Sequence, residues 1–157
     1  MTSIKQLCTA ALLAFGFVGQ ARAEAISPTQ VHVIDGDTIR LFNMKPDVRL
    51  VGFNAPETRR AKCDHERQLG DHATRRVRDL VHSEVLEFEY VDCACPPGAE
   101  ETPSCNYGRS CGILKAGGKD VGDILIAEGL AVPFKCGATR CPKTPKPWCE
   151  AKPSDLR

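Results

Sequence analysis

The chain has 157 residues and a formal net charge of +1, enough for one domain and too balanced for a protein that holds nucleic acid by global basic charge. Residues 1–23 are set apart from the rest. Lys5 precedes an apolar run, Leu7–Val18, and Ala21-Arg22-Ala23 gives a small-x-small pattern; the run is shorter than the roughly 20 residues of a spanning helix and is expected to be a secretory signal peptide. Without it, 19 basic side chains face 20 acidic ones, so any attraction for phosphate has to be local. Cys8 leaves with the signal, and Cys63, Cys93, Cys95, Cys105, Cys111, Cys136, Cys141 and Cys149 remain. An even number in an exported chain reads as up to four disulfides. Their spacings fit no standard zinc knuckle.

Glu24–Gln30 is a polar lead. Val31–Ile34 is strand-like, Asp35-Gly36-Asp37 reads as a hairpin-type turn, and Thr38–Phe42 alternates with period two. Asn43–Asp47 is a second turn and Val48–Phe53 a third strand, a meander expected to curl into a small barrel. Asn54–Lys62 is a loop pinned by Pro56. Leu69, Ala73, Val77, Leu80 and Val81 then fall on one helical face over about Asp64 to His82, with Arg67, Asp71, Arg75, Arg78 and Asp79 opposite. Gly70 is a weak point there, costing about 1 kcal/mol relative to Ala. Val85–Val91 is a fourth strand, Cys93–Asn106 a long loop, and Tyr107–Leu114 a fifth strand. Asp120 is an N-cap and Gly129 the stop of a second, short helix. Leu130–Phe134 is extended, and the Cys- and Pro-rich segment after it reads as a stapled surface tail. The expectation is an α+β protein. Its core would be a five-stranded OB-fold β-barrel with two packed helices and a disulfide-stapled loop, divided as residues 1–23 (signal), 24–134 (barrel domain) and 135–157 (tail).

The chemistry concentrates between Asp35 and Glu57. Asp35 and Asp37 offer oxygens of the kind that hold Ca²⁺ or Mg²⁺, although an Asp-Gly-Asp turn is often purely structural. One turn supplies too few ligands, and Asn54 and the Ala55 carbonyl are the candidates to converge on it. Arg49 alternates with Val48 and Leu50. It points either to solvent or into a cleft, where its fork matches two phosphate oxygens. Arg109 opens the fifth strand and can hold the phosphate from the other side, while Tyr107 can bond a terminal phosphate or stack on a base. Glu57, after Pro56, is either an ordinary exposed acid or the group that orients and deprotonates a water.

These blocks, IDGDTIRL, VRLVGFNAPET, Glu66-x-x-x-Gly70, YGR and GGKDVGDILIAEGLA, resemble the staphylococcal-nuclease-like (thermonuclease) family in the family's order, across about residues 31–134. The resemblance implies a five-stranded barrel that hydrolyses DNA and RNA with one Ca²⁺. It implies Asp37 as a direct ligand with Asp35 close by and the Ala55 carbonyl as another. Arg49 and Arg109 would be catalytic residues on the scissile phosphate, Glu57 the residue that activates water, and Tyr107 a nucleotide-phosphate contact. Asn54 stands where the family usually has a second calcium-binding Asp. An amide oxygen brings no charge, so weaker calcium binding or a different metal preference is expected. The other reading is a non-catalytic barrel that binds nucleic acid or protein.

Cys93 and Cys111 lie on the strands flanking the long loop and are expected to pair, with Cys95–Cys105 closing the loop and Cys63 reaching a tail cysteine. The protein is expected to be exported, to the periplasm or the medium. It would be a monomer free of the membrane after signal cleavage, with DNA or RNA as substrate.

Overall fold

The computed structural model describes residues 23–100 and 102–149; the expected signal peptide, with Cys8, and the last tail residues lie outside them. The strands are β1 (Glu24–Ile26), β2 (Val31–Asp35), β3 (Thr38–Leu41), β4 (Val48–Leu50), β5 (Gly52–Asn54), β6 (Leu86–Val91), β7 (Ser110–Ala116), β8 (Lys119–Asp120) and β9 (Val132–Phe134). The helices are α1 (Asp64–Ser83) and α2 (Val121–Ala127). Seven strands form one curled sheet in the order β1-β6-β7-β4-β3-β2, with β8 on β7, and β5 pairs separately with β9. This is the α+β OB-fold expected from the pattern. The anticipated third strand is broken at Val51–Gly52, where Gly52 takes φ +94°, and its second half leaves the main sheet to meet β9. The polar lead also contributes a strand, β1, paired with β6. The fifth strand starts at Ser110 rather than Tyr107, because Asn106–Gly108 form a tight turn with Asn106 and Tyr107 at positive φ.

One pairing decides where the chemistry falls. Neighbouring strands are antiparallel except β4 and β7, which run parallel with Val48 opposite Ser110 and Arg49 opposite Cys111. Thr38 of β3 is opposite Arg49 on the other side. Cross-strand partners share a face, and so do residues two apart. Thr38, Arg49 and Cys111 therefore form one row, with Arg109 next along it.

Helix α1 packs on the barrel through Ala73, Val77, Leu80 and Val81, which join one core with Ile39, Leu50, Phe53 and Leu125. Leu69 is only half-buried; Glu66, Gly70 and Thr74 complete the inner face instead. Gly70 is a necessity and not a flaw in the helix. A Cβ there would stand 2.7 Å from the Glu57 carbonyl oxygen and 2.8 Å from that of Pro56. Those are backbone atoms and cannot swing aside. The helix thus runs directly against the loop that carries Glu57. Asp120 caps α2 by accepting from the Gly122 N–H at 2.6 Å, as expected.

The cysteines pair as Cys93–Cys111, Cys95–Cys105, Cys63–Cys149 and Cys136–Cys141. The described part of the tail does run over the surface, yet it is anchored by the Cys63–Cys149 bond and by Trp148, which is 7% exposed.

Helix propensity and close packing make opposite predictions for Gly70. We expect Gly70→Ala to lower the melting temperature, by several degrees for a loss of about 1–3 kcal/mol. The check is a thermal melt followed by circular dichroism; a variant stabilised by the ~1 kcal/mol that propensity alone would supply overturns the contact.

Candidate active site

Gly36 lets the Asp35-Gly36-Asp37 turn sit tightly against its surroundings. A Cβ there would be 2.7 Å from the Ala55 Cβ and 2.9 Å from the Ala73 Cβ. The turn is thereby pressed between α1 and the end of β5, and its second Asp is driven inward: Asp37 is 5% exposed. Burial of a carboxylate demands partners, and Asp37 has them on both oxygens. Its Oδ1 is paired with the Arg49 guanidinium and accepts from the Thr38 hydroxyl at 3.2 Å. Its Oδ2 accepts from the Ala55 N–H at 2.9 Å.

Arg49 points into this nest and not to solvent. Its Nη2 also donates to the Phe53 carbonyl at 3.2 Å and to the Asn54 Oδ1 at 2.9 Å, so one guanidinium spans Asp37 and Asn54. Arg109 reaches the same row from the residue just before β7. Its Nη1 donates to the Thr38 hydroxyl at 3.2 Å, and its other nitrogens are held by the Asn106 carbonyl at 3.2 Å and side-chain oxygen at 3.0 Å. Thr38 therefore touches both Asp37 and Arg109. Burial pushes the Arg109 pKa down, and the neighbouring Arg49 charge adds to that. Two guanidiniums, far apart in sequence, are thus close enough to repel each other. Tyr107 stands 87% exposed with its ring 5.7 Å from the Arg109 guanidinium carbon. It is placed at the rim, beside Arg109.

Glu57 has a half-exposed side chain 3.6 Å from the Lys146 ammonium. Among the described residues it makes no hydrogen bond to Asp37, Arg49 or Arg109. Its backbone N–H is held at 3.5 Å by Glu66, whose other oxygen takes the Lys62 N–H at 2.6 Å. Glu66 is 1% exposed: a buried carboxylate that shapes the Glu57 loop from below. The sequence motif contained Glu66, but no local signal marks its role, since a charged residue in the first turn of a helix ordinarily faces water. Thr38, Asn106 and Pro145 also contact the site and were not singled out from sequence. Pro145 accepts a hydrogen bond from the Asn54 Nδ2 at 3.0 Å.

Asp35, Asp37, Asn54 and the Ala55 backbone supply only oxygen ligands, which suit a hard dication of the calcium type. Asp35 is pushed up to about 6, first by burial and then by the Asp37 charge; a cation in the nest would offset both. Among the described residues no three His, Cys, Asp or Glu side chains gather as a metal cluster. The nest thus offers two carboxylates, with the remainder left to amide, carbonyl and water oxygens. Beside Arg49 opens a cleft of about 430 Å³, walled by Phe53, Phe134 and the Cys93–Cys111 disulfide, with Asn106 at its edge.

The model of the staphylococcal nuclease homologue family matches residues 47–147, a span that holds Arg49, Glu57 and Arg109 and continues through most of the described tail. Endonuclease YncB of Bacillus subtilis (strain 168) is 32% identical over 108 residues, which are 68% of this chain and 47% of that protein. The SPbeta prophage-derived endonuclease YokF of the same organism is 31% identical over 110 residues, 69% of this chain and 34% of that protein. The chain spans less than half the length of these relatives. With well over half of its own residues matched by the family model, the chain belongs to the staphylococcal nuclease homologue family.

Proposed function

We propose that this protein is an exported, Ca²⁺-dependent nuclease that hydrolyses phosphodiester bonds in DNA or RNA. The observation that carries the reading is the convergence of Arg49 and Arg109 on the Asp37–Thr38 corner. Family membership and relatives named as endonucleases support it.

Phosphodiesters are so inert that an enzyme has to lower the barrier by roughly 15–20 kcal/mol or more. In-line attack builds negative charge on the non-bridging oxygens. Arg49, on β4, and Arg109, at the entrance to the neighbouring β7, can take one oxygen each, or share them through their forks. Glu57, on a loop stiffened by Pro56 and by Glu66 beneath it, is the half-exposed carboxylate that would align and deprotonate a water, exchanging its contact with Lys146 to do so. Asp37, Asp35, Asn54 and the Ala55 carbonyl would hold the cation, which when bound supplies positive charge to the phosphate and lowers the pKa of bound water. The apolar cleft beside Arg49 has room for a base, and the exposed ring of Tyr107 beside Arg109 offers a stacking surface. Four disulfides suit an oxidising compartment, in keeping with the leader expected from residues 1–23.

Among the described residues Arg109 makes no ion pair, so its removal should spare the fold. Arg109→Ala is expected to lower kcat/KM on single-stranded DNA about 10²–10³-fold, and Glu57→Gln about 10²–10⁴-fold, each with a melting temperature close to that of the parent. Parental rates in either variant would remove that residue from the mechanism. A calcium chelator should stop cleavage by the oxidised protein and added Ca²⁺ should restore it; cleavage that continues unchanged in chelator rules out a catalytic metal.

A further inference from the structure

The tail and the site meet at two adjacent residues. The Pro145 carbonyl accepts from the Asn54 amide nitrogen at 3.0 Å, and Lys146 lies 3.6 Å from Glu57. Beyond them the short Pro147–Cys149 helical turn buries Trp148 and ends on the Cys63–Cys149 bond. Cys63 is itself the N-cap of α1, its sulfur accepting from the Glu66 N–H at 3.5 Å. The tail is therefore tied to the helix terminus and to the loop that carries Glu57.

We propose that Pro145 is a positioning residue for the site: its carbonyl fixes the Asn54 amide with Oδ1 facing Arg49, and the Trp148 and Cys149 anchors hold that carbonyl in place. The proposal rests on the nuclease reading only for its effect on catalysis. An aspartate at position 54 would present an acceptor whichever way it turned. An asparagine has one acceptor end and one donor end. Turned the wrong way, it would aim an N–H₂ group at the Arg49 guanidinium and withdraw its oxygen from the Asp37 nest. A carbonyl can only accept, so Pro145 can pair only with the amide nitrogen, and that selects the productive orientation. Asn54 is 6% exposed, which leaves little water to do the same. Pro142, Pro145 and Pro147 restrict the backbone that delivers the carbonyl. The chain thus carries together an amide that requires orienting and a covalently anchored acceptor that orients it.

The test is a cycle of two changes, read by Ca²⁺ titration calorimetry and by cleavage of single-stranded DNA. Cys63→Ser with Cys149→Ser cuts the tether while keeping a serine able to cap α1. Trp148 is the sole tryptophan of the chain, so a red shift of intrinsic fluorescence reports release of the tail; if the tail stays seated, Trp148→Ala is added and release is read instead by faster trypsin cleavage at Arg140, the tail site not followed by proline. In the Asn54 parent, release should weaken Ca²⁺ binding about three- to tenfold, the scale of one lost hydrogen bond. In the Asn54→Asp background it should leave affinity unchanged or improve it, since a carbonyl facing a carboxylate is repulsive. Equal losses in both backgrounds, or no loss in an Asn54 protein whose tail is released, overturn the proposal. A direct readout stands without the metal: the Asn54 side-chain N–H₂ resonances, identified by their absence in Asn54→Asp, should be protected from exchange in the oxidised protein and lose that protection when the tail is freed. Unprotected resonances in the oxidised protein refute it. If no variant cleaves nucleic acid, the nuclease reading fails, while the resonance measurement still decides the role of Pro145.

Discussion

The site depends on how the Asp37 carboxylate is held. A charge buried this far is tolerated only when each oxygen is matched, and here three segments supply the match: Thr38 beside it, Arg49 from β4, and the Ala55 N–H after β5. Withdrawing one partner of such a buried pair costs about 3–5 kcal/mol. The nest is therefore part of the barrel's structure and not a loop feature that drifts. The same pairing aims the Arg49 guanidinium and brings Asn54 alongside, so acid, arginine and amide are positioned by one set of bonds. Because Arg49 has five N–H donors, it can keep part of this role and still offer an edge to phosphate.

Around that nest the chain adds covalent structure to a small complement of charge. Asn54 carries no charge, and the nest has two carboxylates, Asp35 and Asp37. Disulfides supply rigidity around it. Cys93–Cys111 and Cys95–Cys105 tie down the long loop behind Asn106, the residue that clamps Arg109 through its carbonyl and its side chain. Cys63–Cys149 closes the tail over Asn54 and Glu57. Cross-links of this kind contribute about 2–4 kcal/mol each. The placement of these three points to a second effect: each backs an element that touches a polar residue of the site.

Much of the local structure was legible because local rules dominate it. The inner face of α1 followed from apolar spacing, the Asp120 cap and Gly129 stop marked α2, and the loop cysteines paired as their positions between two strands suggested. Boundaries slipped where a tertiary contact overrode the local pattern. Val48–Phe53 reads as one continuous strand, but Gly52 bends it so that Phe53 and Asn54 pair with β9. Tyr107 reads as the start of a strand, but Asn106 and Tyr107 adopt positive φ so that the Asn106 carbonyl and side chain can meet Arg109.

What the sequence by itself determined was the inventory: an α+β barrel pattern, the acids and arginines that a phosphate site requires, and cysteines suited to an oxidising compartment. Those features are carried by residue type and short spacing, which the chain displays without folding. Only the tertiary structure decided that Arg49 turns inward, that Gly70 must be small, that Glu66 is buried beneath Glu57, and that the tail closes on Asn54. Each of these depends on segments distant in the chain meeting in space. The parallel pairing of β4 with β7 sets two of the arginines side by side, and no periodicity along a single strand records which neighbour it will have.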